Sequence, residues 1–330
     1  MRLGSMIQFS RQGARVAAIL ASVAIAATAA HAQDPFPTRA VKIVVSAPPG
    51  GQTDSLARFL GDGLSKRWGQ PVVVENIPGA GQTIGTAKVA HSPPDGYTLH
   101  LAMHATFTRK LYYTSLNYEP TALTPLLQLG EAGYALVARP DLPAKDVREL
   151  IAYAKQQEGR TSLGLLGMGG DSHVRMVIFG LRNGIKFTQA AYKGESDILN
   201  ALAGSHLDIA MVSLSSALAL VPKVKIIAIT SAERNPAAKD LPTFAESGVQ
   251  DFSFGIRYFL VGPPDMNQAL QKKIHEDAAA VMAAPDAAAM LARLQLTPSD
   301  RSLDAARKGA AAEVESFRRI MAESKLEPQR

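Results

Sequence analysis

Four glycine-rich turns are the feature of this sequence best suited to chemistry. Each carries a hydroxyl or acidic residue and leads into a predicted helix: 50–53, 79–83, 169–172 and 194–196. The N-terminus of a helix has unpaired N–H groups and a partial positive charge, so it binds anions without lysine or arginine. One such turn alone is an ordinary strand–helix connection. Four at the same ends of parallel strands would surround one crevice, where open α/β sheets bind ligands.

Motifs for catalysis, cofactors and metals are absent or weak. The sequence contains no G-x-S-x-G, H-E-x-x-H or G-x-x-x-x-G-K-[ST] pattern. Residues 79–85 are spaced G-x-G-x-x-x-G, one residue too long for a dinucleotide fingerprint, so no cofactor is expected. His100 and His104 belong to a predicted strand region, where a four-residue spacing forms no helical chelate, and no metal is expected. Ser172 and His173 resemble a nucleophile with its base, but adjacent helical residues point about 100° apart.

The composition excludes further classes of protein. The chain has 330 residues and no cysteine, which removes cysteine nucleophiles, zinc–thiolate sites, disulfides and the anchor of a lipoprotein. It has 35 basic and 29 acidic residues, three of the basic ones within residues 1–32. Without that segment 32 basic residues face 29 acidic ones, a balance that predicts no nucleic-acid partner.

Residues 1–32 have the layout of a cleaved secretory signal. Arg2, Arg11 and Arg15 precede an apolar run, 16–30, that ends at Ala30-His31-Ala32. The run is shorter than the roughly 20 residues of a membrane span. We therefore expect a periplasmic protein that is not a lipoprotein.

Short apolar runs alternate with helical patterns, which predicts an α/β protein with a largely parallel sheet. Strands are predicted at 41–45, 72–76, 97–103, 135–138, 162–166, 209–212 and 226–229. Helices are predicted from Thr53 as N-cap, near 84–90, at 147–156 with Asp146 as N-cap, at 173–181, at 198–203 and in the Ala-rich tail from Asn267.

These turns and other segments resemble the Bug family, the extracytoplasmic solute-binding proteins of tripartite tricarboxylate transporters. The segments that carry the resemblance are Pro48–Asp54 with Leu56-Ala57-Arg58, Val74-Glu75-Asn76 with Pro78–Gly81, Pro94–Leu99, Ser172-His173, Tyr192-Lys193-Gly194 with Gly204 and Asp208, and Leu241-Pro242-Thr243 with Glu246-Ser247-Gly248. They span essentially the whole chain after the signal.

The resemblance implies a periplasmic binding protein-like fold of type II, with two lobes joined by two crossover strands. The crossovers are expected at 134–139 and 252–262. Lobe one is then 33–137 plus 255–330, and lobe two is 138–254. In this family the lobes close on a carboxylate held by backbone N–H groups and ordered water.

Three segments depart from the family pattern. Met211-Val212-Ser213 stands where Phe-Asp-Asn is common, and Arg257-Tyr258-Phe259 where Trp-Phe-Gly is common. Met103–Phe107 replaces small polar residues after the third strand. All three are expected near the cleft, so the identity of the ligand is not carried over.

The expected function is capture of a small organic anion, a carboxylate that can be aromatic, for a membrane permease or a sensor kinase. The protein is expected to be a monomer without enzymatic activity. The alternative is an exported hydrolase or transferase on the same scaffold, using Ser172 and His173.

The expected ligand-binding residues lie in the four turns and the departing segments: Gly50, Gly51, Gln52, Thr53, Asp54, Gly81, Gln82, Thr83, His104, Ser172, His173, Tyr192, Ser213 and Arg257. Two of them have open alternatives. Asp54 is either a favourable first-turn charge or an acceptor for a ligand hydroxyl. Arg257 either points outward from its strand or offers a bidentate fork to a carboxylate.

Overall fold

The computed structural model describes residues 36–327, apart from 167, 169, 236 and 237. The chain divides into a short N-terminal unit, Met1–Arg39, and a compact unit, Ala40–Arg330, that contains the elements named below. The predicted signal sequence, 1–32, and its cleavage site lie outside the described residues. No helix in the described part of the chain combines the length and hydrophobicity needed to cross a membrane.

The described strands and helices alternate through most of the chain. The strands are β1 (Val41–Val45), β2 (Val72–Asn76), β3 (Thr98–Met103), β4 (Thr124–Ala138), β5 (Ser162–Leu166), β6 (Thr188–Tyr192), β7 (Ile209–Ser213), β8 (Lys225–Ile229), β9 (Gly255–Gly262) and β10 (Leu296–Thr297). The helices are α1 (Gln52–Trp68), α2 (Thr83–Ala90), α3 (Ala105–Thr108), α4 (Val147–Gln156), α5 (Asp171–Asn183), α6 (Glu195–Ala203), α7 (Leu214–Leu218), α8 (Gln268–Ala283), α9 (Pro285–Arg293) and α10 (Leu303–Ser324). Short 3₁₀ turns occupy Ala80–Gln82, Arg109–Leu111 and Pro120–Ala122.

The strands form one mixed sheet in the order β2-β1-β3-β9-β4-β7-β5-β6, with β8 and β10 also paired to β4. The pairs of β1 with β2 and β3, and of β5 with β6 and β7, are parallel. The described pairs that involve β4 or β9 are antiparallel. The prediction of a largely parallel sheet is therefore wrong at the centre, because β4 and β9 join the two parallel groups while running in opposite directions.

Strand β4 changes partners at the level of the sheet where β9 begins. Residues 124–133 of β4 pair with β9, whereas residues 134–138 pair with β7 and β8. On the returning strand, Gly255 pairs with Gly133. We call β1–β3, β9, β10 and residues 124–133 the first section, and β5–β8 with residues 134–138 the second section. A helix or turn belongs to the section whose strands it follows or connects. The lobe boundaries predicted from the sequence, at 137/138 and 254/255, stay a prediction.

Buried Thr230 connects the two places where the chain passes between the sections. Its hydroxyl donates to the Phe254 carbonyl (2.7 Å) and accepts from the Tyr134 N–H (3.0 Å). Its backbone N–H donates to the Tyr134 carbonyl, and its carbonyl accepts from the Phe254 N–H, both at 3.0 Å. The side chain is 0% exposed. One residue therefore satisfies backbone groups of both crossing segments.

Helices cover the sheet with the apolar faces that their spacing predicts. Leu56, Leu60 and Leu64 of α1 are fully buried in the first section. In the second section, α4 and α5 bury one apolar cluster with β5 and β7, and α6 and α7 bury another. Trp68 ends the α1 stripe but is half-buried, and its indole N–H donates to Asp277 (2.7 Å). Trp68 is therefore not a fully buried core residue.

Most predicted elements are confirmed, and the differences have local causes. Helix α1 begins two residues early, with Gly51 rather than Thr53 as N-cap, and Thr53 is buried inside the helix. Asp146 caps α4 as predicted, accepting from the Glu149 N–H (2.8 Å). Strand β6 was not predicted, because its residues are polar or small and mostly exposed. The first ten residues of β4 were missed since their pairing with distant β9 defines them.

We expect Thr230→Val to lower the free energy of unfolding by about 1–3 kcal/mol, because valine leaves the Tyr134 N–H and the Phe254 carbonyl short of a buried partner. Thr161→Val is the matched control. Thr161 is also buried, but its hydroxyl has no hydrogen-bond partner among the described residues. Urea unfolding of both variants checks this expectation, and an equal effect in the two would contradict it.

Candidate functional site

The first glycine turn is shaped by a buried carboxylate. Asp54 accepts hydrogen bonds from the Gly50 N–H (2.9 Å), the Arg58 guanidinium (2.9 and 3.0 Å) and the Asn76 amide (3.0 Å). Burial raises the pKa of Asp54, but these hydrogen bonds outweigh it and lower the pKa below its ordinary value. Both carboxylate oxygens therefore hold the turn in place, and of the two interpretations of Asp54 the contacts favour the structural one.

The same turn leaves backbone open at the start of α1. Gly51, the N-cap, has no side chain to cap the helix, and a Cβ built there meets nothing within 4 Å. Gln52 is held at both ends of its amide, because Tyr258 Oη donates to its Oε1 (2.9 Å) and its Nε2 donates to the Leu294 carbonyl. Gly50 has φ +89°, which favours glycine. The turn thus presents N–H groups rather than charged side chains.

The second turn faces two side chains that the sequence analysis did not single out. Gly81 has φ +60°, and a Cβ built there would lie 3.6 Å from Arg109 Nη1 and 3.7 Å from Tyr113 Oη. Gln82 is the N-cap of α2, and Thr83 Oγ1 donates to the Ala80 carbonyl (2.9 Å). The open side of Gly81 is therefore directed at Arg109 and Tyr113.

Arg109 is a half-buried cation without a protein counter-ion among the described residues. Its Nε is buried and has no hydrogen-bond partner in that part of the chain. The guanidinium lies 6.0 Å from the centre of the Tyr113 ring and interacts electrostatically with Tyr118 and Tyr134. Burial lowers the pKa of Arg109. Arg109 lies directly after α3. The sequence did carry a signal for this region, because the neighbouring segment Met103–Phe107 departs from the family pattern.

The third turn carries a buried ion pair. Asp171, the first residue of α5, accepts from Arg175 Nε at 2.8 and 2.9 Å, and its Oδ2 lies 3.7 Å from His104 Nε2. Burial raises the pKa of Asp171, but the charge of Arg175 and the contact with His104 outweigh it and lower the pKa to about 2. His104, in the first section, is thereby packed against the second. Gly167 and Gly169 of this turn lie outside the described residues.

His173 has partners other than its neighbour Ser172. Its Nε2 lies 3.1 Å from Gln189 Oε1, and its ring packs edge-on against Tyr112 with centroids 6.5 Å apart. Burial lowers the pKa of His173. Ser172 is half-buried in the first turn of α5. The packing of His173 is that of a buried aromatic between the two sections.

The fourth turn places a carboxylate beside β7. Glu195, the first residue of α6, accepts from the Ser213 N–H (2.9 Å) and the Ser213 hydroxyl (2.6 Å). Ser213 Oγ is also 2.7 Å from Ser216 Oγ, so the Ser213 hydroxyl is engaged within the protein. Tyr192 is half-buried and packs against the apolar cluster under α6. Glu195 was not predicted, although it lies inside a turn that was.

Two tyrosines lie where the turns meet. Tyr134 begins the second part of β4, and burial raises its pKa, as do the charges of Asp171 and Glu195. Burial and Glu195 likewise raise the pKa of Tyr258, the partner of Gln52. Tyr113 Oη joins the sections by donating to the Met168 carbonyl (3.0 Å). We call the following residues the junction site: Gln52, Gly81, Arg109, Tyr134, Asp171, Glu195 and Tyr258.

Arg257 lies outside the junction site. It stands directly opposite Glu131 in the β4–β9 register, its Nε donates to Glu131 Oε2 (3.1 Å), and its Nη1 contacts Glu313 of α10. Neighbouring Tyr258 points to the other face of β9 because side chains alternate along a strand. Of the two interpretations of Arg257, the contacts therefore favour the one in which it points away from the ligand, since two protein carboxylates occupy the guanidinium.

Other candidate sites in the described residues are weaker. No cluster of three or more histidine, aspartate or glutamate side chains there could hold a metal ion. Two surface grooves of about 340 Å³ each contain none of the predicted ligand-binding residues. One lies between α10 and residues 121–125, and the other follows α7.

Comparison with known proteins identifies the family. The profile described as "Tripartite tricarboxylate transporter family receptor" matches residues 56–326. The chain belongs to this family. A UPF0065 protein of Bordetella pertussis is 33% identical over 274 residues, covering 82% of this chain and 84% of that protein.

Two solved structures of similar proteins agree with the fold. The structure of periplasmic binding protein BugD has a TM-score of 0.79 and 29% identity, over 89% of this chain and 100% of that one. R. palustris Rpa4515, solved with adipate, has a TM-score of 0.82 and 26% identity, with the same coverage. The tripartite tricarboxylate transporter receptors are periplasmic solute-binding, non-enzymatic proteins. The resemblance to the Bug family, the α/β periplasmic-binding fold and the solute-binding function are confirmed.

We expect Asp171→Asn to destabilise the protein by about 3 kcal/mol at pH 7, because it leaves Arg175 buried without its carboxylate. The pKa of Asp171 in the folded protein, about 2, lies below its ordinary value of 3.8. Its contribution is therefore complete above about pH 4 and is lost as the pH falls towards 2.

The free energy of unfolding, measured between pH 7 and pH 3, tests this expectation. The difference in that free energy between wild type and Asp171→Asn should become smaller towards pH 3. The control is Asp304→Asn, which removes an exposed partner of Lys308 and should change little. A difference in the free energy of unfolding that stays constant down to pH 3 contradicts the stabilising role assigned to the ionised Asp171.

We expect Arg257→Met to lower the free energy of unfolding by about 1–3 kcal/mol, because the Glu313 side chain, 7% exposed, loses its partner. Ligand affinity should stay unchanged, since Arg257 lies outside the junction site. Chemical unfolding and titration calorimetry measure the two effects separately. A loss of affinity without a loss of stability would restore Arg257 to the site.

Proposed function

We propose that this chain captures a small organic anion, a carboxylate, at the junction site. One observation carries the proposal: all four glycine turns contribute to one place between the two sections, where Arg109 has no protein counter-ion among the described residues. Asp171 does not oppose an anion, because Arg175 already pairs with it. The site therefore combines helix N-termini with one uncompensated positive charge. The adipate in Rpa4515, a protein of the same fold, supports a carboxylate as the ligand class.

The proposed binding motion uses the two crossing segments as the hinge. The lobes are residues 33–137 with 255–330, and residues 138–254. The partner change of β4 at 133/134 and the start of β9 at Gly255 support this division. Closure of one lobe on the other would bring Gly51 and Gly81 towards the second section, with the ligand between them.

The proposed setting is the periplasm. The chain is exported through the signal sequence of residues 1–32, which is cleaved near Gln33, and acts as a monomer. It hands its ligand to a membrane permease, as the family description supports. A sensor kinase is the other partner for the same binding event, and loss of ligand uptake on deletion of the chain would favour the permease.

Catalysis is not part of the proposal. The alternative of a hydrolase or transferase needs His173 to act as a base on Ser172. The His173 ring instead contacts Gln189 and Tyr112, which supports a packing role. A ligand recovered unchanged after incubation with the protein would agree with a binder.

We expect organic acids to raise the melting temperature of the mature chain by several degrees at millimolar concentration. Dissociation constants on the order of micromolar, about −8 kcal/mol, are expected. The panel contains dicarboxylates, monocarboxylates, benzoate and nicotinate, with spermidine and glucose as controls. Stabilisation by the amine or the sugar alone would overturn the proposal.

We expect Gly51→Val and Gly81→Val to abolish binding in a protein that still folds. The valine at 51 would block the open backbone, and the valine at 81 would crowd Arg109 and Tyr113 at a positive φ. Gly159→Val is the control, since Gly159 also has a positive φ (+92°) but precedes β5, at the opposite end of the sheet. Circular dichroism and titration calorimetry are the measurements. If either site variant binds with full affinity, the turn that carries that glycine is not part of the binding site.

A further inference from the structure

Arg109 differs from the other arginines near the middle of the molecule. Arg175 is paired with Asp171, Arg139 with Asp208, and Arg257 with Glu131 and Glu313. The Arg109 side chain has neither an ion pair nor a hydrogen bond to any described residue, and its Nε is buried. A buried guanidinium costs free energy unless an anion compensates it. The neighbours that lie nearest its charge include Gly81 and the ring of Tyr113, neither of which carries a negative charge that could pair with it.

The surroundings of Arg109 lie on the ligand side of the first section. Gly81, in the second turn, leaves open the space next to Arg109 Nη1. Tyr113, whose ring is 6.0 Å from the guanidinium, reaches across to the Met168 carbonyl of the second section. Tyr134, at the partner change of β4, is close enough to act on Arg109 electrostatically. Arg109 is thus placed at the boundary that a ligand between the sections must touch.

The charges of the junction site are unevenly distributed. The second section supplies Asp171, which is neutralised by Arg175, and Glu195, which has no cationic partner among the described residues. The first section supplies Arg109 and the open N-terminus of α1 at Gly51. Anionic groups of a ligand are therefore favoured on the first section and opposed by Glu195 on the second. The first section offers two separate anion positions, one made of N–H groups and one made of a guanidinium.

We propose that Arg109 is a specificity-determining residue that binds a second anionic group of the ligand and makes the receptor selective for dicarboxylates over monocarboxylates. The inference rests on the proposed function, since it assigns the second of two anion positions in the same site. The planar guanidinium matches a carboxylate in a bidentate arrangement, which an ammonium group does not. One carboxylate binds the helix N-termini, and the other pairs with Arg109.

The test compares acids of equal chain length on the mature chain by titration calorimetry: succinate with butyrate, glutarate with pentanoate, and adipate with hexanoate. The wild type should prefer the best diacid over its monoacid by about 30-fold or more. In Arg109→Gln this preference should fall below about threefold, while the affinity for monoacids stays within about twofold. Arg109→Lys keeps the charge without the fork and should retain an intermediate preference. Arg318→Gln, which removes an exposed positive charge on α10, should behave as wild type.

A second measurement separates recognition from a structural role. If Arg109 serves the ligand, the ligand-free Arg109→Gln protein should melt at the same temperature as wild type or higher, because an uncompensated buried cation is removed. A lower melting temperature together with an unchanged diacid preference would overturn the inference and make Arg109 structural. If Arg109→Gln does not fold, a wild-type preference retained in full by Arg109→Lys overturns the inference in the same way.

The outcomes also distinguish this inference from the proposed function. Binding of mono- and diacids by the wild type with equal affinity overturns the role of Arg109 and leaves carboxylate capture standing. Failure of every acid to bind the wild type overturns both.

Discussion

The arrangement of this protein depends on the two places where the chain passes between the sections of one sheet. β4 changes partners between residues 133 and 134, β9 begins at the same level, and Thr230 satisfies backbone groups at both places from a fully buried position. Backbone polar groups without water must find partners within the protein. A threonine at this point supplies both a hydroxyl and a backbone pair, and it fixes Tyr134 and Phe254 relative to each other.

Some of the charges in and around the junction site are paired within the protein, and others are not. Asp54 and Asp171 are buried, but each is surrounded by donors that hold its pKa below the ordinary value. These carboxylates shape the turns in which they lie and repel a ligand little. Arg109 has no such compensation among the described residues. Glu195 also lacks a cationic partner among the described residues, so the two charges without an ion partner in the junction site are of opposite sign and belong to different sections.

Several elements and residues could be predicted from the sequence, and the reason is local. β1, β2, β5, the N-cap Asp146 and the apolar stripe of α1 depend on patterns within a few residues of one another. The glycine turns were also visible, because positive φ and close approach of backbone restrict the choice of residue. β6 and the first part of β4 were not visible, since their pairing partners, rather than their own hydrophobicity, define them. The two interpretations of Arg257 stayed open for the same reason: Glu131 lies opposite it only after β4 and β9 have paired.

The sequence by itself determined the class of this protein: an α/β chain with glycine turns before its helices, no catalytic motif, and ordered segments of the Bug family. Only the tertiary structure decided which charges are free. Arg109, Arg175 and Arg257 are indistinguishable as residue types, yet Arg175 meets Asp171 within one helix turn, Arg257 meets two distant carboxylates, and Arg109 meets tyrosines and Gly81. The free energy of a charge depends on its neighbours and its burial, and packing brings those neighbours together from far along the chain.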